Sequence, residues 1–522
     1  MAQIFSTVKT KSPSHNRFNL SYENKFSCKM GYLYPVFVQD VLPGDRFKVN
    51  TGQLVRLAPM LAPVMHRASI YIHYFFVPNR LVHDNWQDFI TGGEDGLSTA
   101  TLPLVSMRAL GNLTLLPYLR KGTLWDFLDY PTISDSTSVV SVDTKVDFSF
   151  FRMYQLIYNE YYRDQNVTPE VKFSRGDVVP SSDFINLLTL RKRAWEKDYF
   201  TSSLPWAQRG AQVSLPLGGE APVRMLKGST PVGGLGSTTS SNGSANLGTM
   251  FLTNTGTIPS SAQVSASADL SSATATSINE LRRAIRLQEW LEKSARGGSR
   301  YIEQIYSHFH VKSSDARLQR PEYLGGGRSS IQFSEVLQTS STDSASPQAN
   351  MAGHGVAAGN TFQFNRFFEE HGVIMGIMSI IPRTSYQQGG AKRVFRKDRF
   401  DFYWPSFAHL GEQPIFNKEV FTDFNSPSGT EFNERVFGYT PRYAEYRFNL
   451  SRVHGDMRSN LAFWHMGRIF SSAPALNSNF IESDPTTRIF AVTDQNVDTV
   501  YVDLYNQVKA NRPIPKFGTP TI

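Results

Sequence analysis

Residues 294–327 read SARGGSRYIEQIYSHFHVKSSDARLQRPEYLGGG. Gly297-Gly298 predicts the stop of a preceding helix, because glycine takes the left-handed conformation of a helix C-cap without steric cost. An aromatic, helix-like segment follows, then a basic extended stretch broken by Pro321. Gly325-Gly326-Gly327 closes the run; it lacks the GxGxxG spacing of a pyrophosphate cradle and reads as a structural turn.

Working upstream, Ser277-Ile278-Asn279-Glu280 has the pattern of a capping box. Ile278, Leu281, Ile285 and Leu291 recur near helical spacing, so an amphipathic helix leads into Gly297. Before it, residues 228–277 hold a single charged residue, Asp269, and a single aromatic, Phe251, among Gly, Ser, Thr and Ala. Such a stretch has little apolar surface to offset its ordering entropy. The surface insertion is set at residues 213–277, with residues 1–212 and 278–522 as the core. Downstream and toward the start, the signal is β. Ser69–Val77 (SIYIHYFFV) is apolar on both faces apart from His73, as in a strand covered on both sides. Short apolar runs at Tyr32–Val41, Gly372–Ile381, Arg488–Val492 and Thr499–Leu504 read similarly. Phe151–Tyr162 permits a helix, and its aromatic density leaves a strand open. Many short strands with long excursions favour a sandwich or jelly roll over alternating α/β units.

Several further stretches, taken in order, are similar to those of one family. They are Gly31–Phe47 (GYLYPVFVQDVLPGDRF), His73–Arg80 (HYFFVPNR), Asp198–Gly210 (DYFTSSLPWAQRG), Arg442–Arg447 (RYAEYR), Val453–Arg458 (VHGDMR) and Arg512–Gly518 (RPIPKFG). With the run at 294–327, the chain resembles the major capsid proteins of the gokushovirus branch of the Microviridae, small single-stranded DNA bacteriophages. The resemblance implies an all-β-dominated fold, an eight-stranded antiparallel viral jelly roll whose interstrand insertions carry a few helices. It also implies a T = 1 icosahedral homo-oligomer around circular single-stranded DNA, with the insertion at the threefold axis. Accessory scaffolding or pilot proteins, and a host-surface receptor for the insertion, are further partners it implies. Gly228, Gly236, Asn242, Phe251 and Asp269 mark the insertion as the candidate host-contacting segment.

Composition bounds these expectations. A chain of 522 residues exceeds what one hydrophobic core serves, and its 37 Phe and 22 Tyr allow a large one. One cysteine, Cys28, excludes an intrachain disulfide and a CxxC zinc pair. The first residues lack an apolar signal-peptide core, and no apolar run reaches the roughly 20 residues of a membrane helix. Maturation in a cytoplasm without membrane insertion is therefore expected; the resemblance implies that this is a bacterial host's cytoplasm and that the chain resides in the virion. No phosphate loop, HExxH helix, GxSxG elbow or calcium loop is present, so neither catalysis nor a cofactor or metal is expected. His308 and His310 share a face only if extended, and nothing nearby completes a ligand set. Asn112-Leu113-Thr114 and Asn242-Gly243-Ser244 fit a glycosylation pattern that requires secretion.

The net charge of +8 favours a polyanionic partner. Lys9, Lys11, His15 and Arg17 at the start, and Lys509, Arg512 and Lys516 at the end, are the candidate DNA-contacting residues. Cations interleaved with aromatics neutralise phosphates and stack bases without reading sequence. Both termini could equally tie neighbouring subunits together. Lys392–Arg399, the densest basic cluster, reads as a solvated face. The competing class is a secreted or surface β-sandwich that binds or cleaves carbohydrate.

Overall fold

The computed structural model describes residues 14–517 apart from 95–96, 211–222, 228–229, 232–234, 237–250, 253–263, 269–277, 299, 301–302, 304–305, 309–311, 313, 317, 340–347, 426–428, 493 and 495. The chain divides into two compact units, Met1–Ala207 with Gly297–Ile522, and Gln208–Arg296.

The larger unit is built on nine strands: β1 (Asn16–Asn19), β2 (Tyr22–Cys28), β3 (Tyr34–Val41), β4 (Arg46–Leu57), β5 (Ala68–Pro78), β6 (Glu322–Leu337), β7 (Met351–Phe367), β8 (Gly372–Pro382) and β9 (Val500–Arg512). They pair antiparallel in the order β1-β9-β4-β7-β6-β5-β8-β3. β1 takes residues 509–512 of β9 and β2 takes residues 500–506, so the two share one place and the sheet has eight positions. The sheet curls because its two longest strands change partners. β6 pairs with β5 through residue 331 and with β7 from residue 332 onward, while β7 leaves β6 for β4 at Val356. Period-two alternation then aims Phe47, Val49, Val502 and Leu504 from one half, and Ile70, Ile72, Ile374 and Ile380 from the other, into one buried cluster. This is an antiparallel jelly roll, as expected.

β5 and β8 are buried on both faces. The residues of β5 that turn away from the first core, Phe75 and Val77, join Val373, Met375 and Ile377 of β8 in a second one. Helix α1 (Ser149–Ile157) covers that face and continues as a π-helical turn over Tyr158–Tyr162, so the strand alternative for this segment is not adopted. α1 is buried almost all round, as a helix laid on a sheet between loops must be. Even Arg152 is fully buried, its Nη1 donating to the carbonyl of Val82 at 3.1 Å and its Nη2 to that of Gly176 at 2.9 Å. Cys28 is 1% exposed, and burial pushes its thiol well above the usual range.

Two local readings are corrected. Gly325-Gly326-Gly327 is not a turn: all three lie within β6, opposite Tyr74, His73 and Ile72 of β5. The register slips between Tyr323 and Gly325, and Gly325 has φ +152°, so the glycines serve a β-bulge and a close strand approach. Arg488–Val492 is not a strand; Arg488 and Ile489 form a turn closed by the Phe490 N–H on the carbonyl of Thr487 at 3.0 Å, and Phe490 alone bridges to Met60. Tyr306, Ser307 and His308 are helical, and His310 lies outside the described residues.

The smaller unit contains helix α2 (Ile278–Gly297), followed by Gly298 at φ +95° as the helix stop requires. Its expected cap, Ser277, lies outside the described residues. Val223–Lys227 pairs antiparallel with Thr230–Pro231 and with Val264–Ala268, and Leu235–Gly236 pairs with Phe251–Leu252.

Candidate nucleic-acid interface

Pairing β1 with β9 brings the two basic ends of the chain together. Arg17 lies opposite Asn511, and Asn19 opposite Lys509. On its other side β9 meets β4, with Lys509 opposite Lys48 and Asn511 opposite Arg46. Alternation decides which side chains reach solvent. Phe47, Val49, Val508 and Ala510 point into the core, so Arg46, Lys48, Lys509 and Arg17 share the outer face of the same sheet, all exposed. Neighbouring strands sit about 4.8 Å apart, so these cations form one compact basic field.

None of the four makes an ion pair among the described residues; Arg46 donates only to the amide oxygen of Asn365, at 3.2 Å. The acids of this face, Glu23 on β2 and Asp503 on β9, lie further along the sheet and hold Lys25 between them. Tyr501, Tyr505 and Phe367 project from the same face and are 44%, 45% and 53% exposed. No ring or guanidinium stacks on them among the described residues. Tyr505 faces Gly52, whose missing side chain leaves the ring uncovered.

The other sequence-derived candidates fall in different settings. His15 and Lys516 are exposed at the margins of this field. Arg512 is bound within the chain: it meets the fully buried carboxylate of Asp45 at 2.9 Å and lies 5.5 Å from the ring centre of Phe47. Lys9 and Lys11 lie outside the described residues, as do Gly228, Asn242 and Asp269 of the insertion; Gly236 and Phe251 are opposite each other in a short strand pair. Reading the sequence by its cationic termini missed Arg46, Lys48, Tyr501 and Tyr505. The alternation in RFKVN at 46–50 and VYVDLYNQVK at 500–509 places them on one face of each strand, but not on neighbouring strands.

Comparison with known proteins agrees with this architecture. The family model described as capsid protein (F protein) matches residues 6–522. The chain is 36% identical to the capsid protein VP1 of Bdellovibrio phage phiMH2K, over 99% of this chain and 97% of that one. It is 35% identical to the VP1 of Chlamydia phage 1, over 100% and 98% of the two chains. With the VP1 of Spiroplasma virus 4 it shares 30% identity, over 99% and 97%. Such full-length similarity sets aside the carbohydrate-binding alternative. This chain belongs to the phage capsid protein (F protein) family, as a gokushovirus-like major capsid protein of the Microviridae, a structural component of the virion.

Proposed function

We propose that copies of this chain close a T = 1 icosahedral shell around circular single-stranded DNA, and that the basic end of the β1-β9-β4 face lies against the genome. The observation that carries the second statement is the convergence of Arg17, Arg46, Lys48 and Lys509 with no carboxylate partner among the described residues, beside the open ring of Phe367 and, further along β9, that of Tyr505. Four cations in one field hold phosphates without reading sequence, and the rings offer stacking to any base. His15 and Lys516 extend the field along the termini, Lys9 and Lys11 are proposed as further phosphate contacts on their charge alone, and Arg512 acts through Asp45 to hold β9 in place.

The test combines imaging with DNA retention. Arg17→Gln, Lys48→Gln and Lys509→Gln together replace exposed side chains, so particle size and thermal stability are expected to match the parent. The salt slope of DNA retention is expected to fall by about 2 log units per decade, at about 0.7 for each phosphate of single-stranded DNA that is no longer neutralised. An unchanged slope assigns this face to something other than DNA.

The insertion, residues 213–277, is proposed to project outward at the threefold axis, where Gly228, Gly236, Asn242, Phe251 and Asp269 mark the segment available to a host receptor. Its composition supports the reading, since it offers few apolar groups to the core. Deleting 228–277 is expected to leave the far-ultraviolet circular dichroism and unfolding midpoint of the jelly roll in place; global unfolding contradicts the assignment. Scaffolding or pilot proteins are proposed as further partners during assembly.

A further inference from the structure

The run Lys392–Trp404 (KRVFRKDRFDFYW) begins with the basic cluster Lys392–Arg399, of which Arg393, Lys397 and Arg399 are exposed as a solvated face requires. Its lysines are engaged: Lys392 meets Glu419 at 3.4 Å and Lys397 meets Glu434 at 3.2 Å. Its aspartates, Asp398 and Asp401, close a reciprocal cap around a short helical turn. The arginines behave differently. Arg396 lies between the rings of Phe402 and Tyr446, 4.7 and 4.9 Å from their centres, and its buried Nε has no hydrogen-bond partner. Arg399 stands 4.9 Å from the centre of Phe400. Arg442 lies as close to Tyr443 and donates to the carbonyl of Phe400, while Arg447 donates to that of Arg442. None of these four guanidinium groups meets a carboxylate among the described residues. Around them Phe400, Phe402, Tyr403, Trp404, Tyr446 and Phe448 are 44–57% exposed.

An exposed cluster of this size, rich in Trp, Tyr and Arg, has the composition of the energetic centre of a protein interface. Single-stranded DNA fits less well than protein, because guanidinium groups already cover ring faces on which bases would stack. A complement exists on the same chain. Between Leu81 and Met107 there is no Lys or Arg. Asp84, Asp88 and Glu94 are exposed there without an ion pair among the described residues, beside Ile90 at 47% exposure. Opposite charge around apolar centres is what a head-to-tail contact between identical copies needs, and such contacts close into rings when the rotation permits.

We propose that the arginine–aromatic patch of one copy docks on the Asp84–Glu94 edge of the next copy in the shell. This contact rests on membership of the capsid family and not on the reading of the DNA face.

Charge reversal tests it. Arg399→Glu with Arg447→Glu, and separately Asp84→Arg with Asp88→Arg, are expected to lower the yield of particles at least about ten-fold while the monomer's circular dichroism stays unchanged. Combining all four is expected to bring the yield back to within about three-fold of the parent, since the charges again match across the contact. Parental yield from either pair, or a fourfold variant no better than the pairs, overturns the proposal. Particles formed in normal yield but poor in DNA overturn it too and hand the patch to the genome. Should the charge variants not fold, Val394→Cys with Ile90→Cys serves instead, both positions being exposed and the native Cys28 buried. A flexible bis-maleimide is then expected to link copies in assembled particles and not in dilute monomer; unlinked chains from particles overturn the contact.

Discussion

Gly326→Ala is expected to destabilise the larger unit by about 3 kcal/mol or more, the cost of forcing atoms into a packed interior that cannot relax. A β-carbon at this position would stand 2.4 Å from the carbonyl oxygen of Ile72 and 3.0 Å from the α-carbon of His73. Both belong to the backbone of β5, which is hydrogen-bonded to β6 on one side and β8 on the other, so neither can move without breaking a ladder. Gly359→Ala is the control. Its β-carbon would meet Gln53 and Ser329 side-chain atoms at 3.7 Å, ordinary contact, and the expected change is within about 1 kcal/mol, the usual cost or gain of glycine against alanine. Urea midpoints followed by circular dichroism separate the two. Equal effects would show that glycine is not required for the approach of β6 to β5. A loss of 3 kcal/mol matters because a domain's total stability is about 5–15 kcal/mol.

Asp45→Ala is the second large effect, expected at about 3–5 kcal/mol because it strands a buried charge. The Asp45 carboxylate is fully buried; it accepts the backbone N–H of Leu42 at 2.8 Å, and Arg512 reaches it through Nη2 at 2.9 Å and Nε at 3.2 Å. Removing the carboxylate leaves a guanidinium whose side chain is 13% exposed facing a vacated acceptor. Replacing both partners with apolar side chains of similar volume, Asp45→Leu with Arg512→Met, is expected to cost much less than Asp45→Ala, since no charge is left alone. The double-mutant cycle reads the coupling directly; additive losses would mean the pair does not act as a unit. The ion pair joins the turn before β4 to the last residue of β9, across 467 positions of sequence, so Asp45→Ala also loosens the strand that presents Lys509.

The same residues show how far the sequence could be read. Leu42-Pro43-Gly44-Asp45 announces a turn by composition, and Gly44 does take φ +92°. That its aspartate is a buried counter-ion could not be read, because Arg512 is remote along the chain. SIYIHYFFV announced a doubly covered strand by lacking a polar face, and β5 is buried on both sides for that reason. The three glycines of residues 325–327 misled because glycine signals both turns and close strand approach, and only the neighbour distinguishes them. Lys392–Arg399 was legible only in part: charge density is local, but the rings that hold Arg396 come from Phe402 and from Tyr446, 50 residues away.

The amino-acid order alone determined what depends on nearest neighbours in sequence: strand alternation, the helix leading to Gly297, the polar insertion, the absence of local catalytic motifs and the family-like stretches. Tertiary structure alone decided which strands adjoin, and hence that Arg17, Arg46, Lys48 and Lys509 form one basic field while Arg512 is consumed by Asp45. Electrostatic and stacking interactions act over a few ångströms of space regardless of separation along the chain, whereas periodicity and turn chemistry act over a few residues of chain.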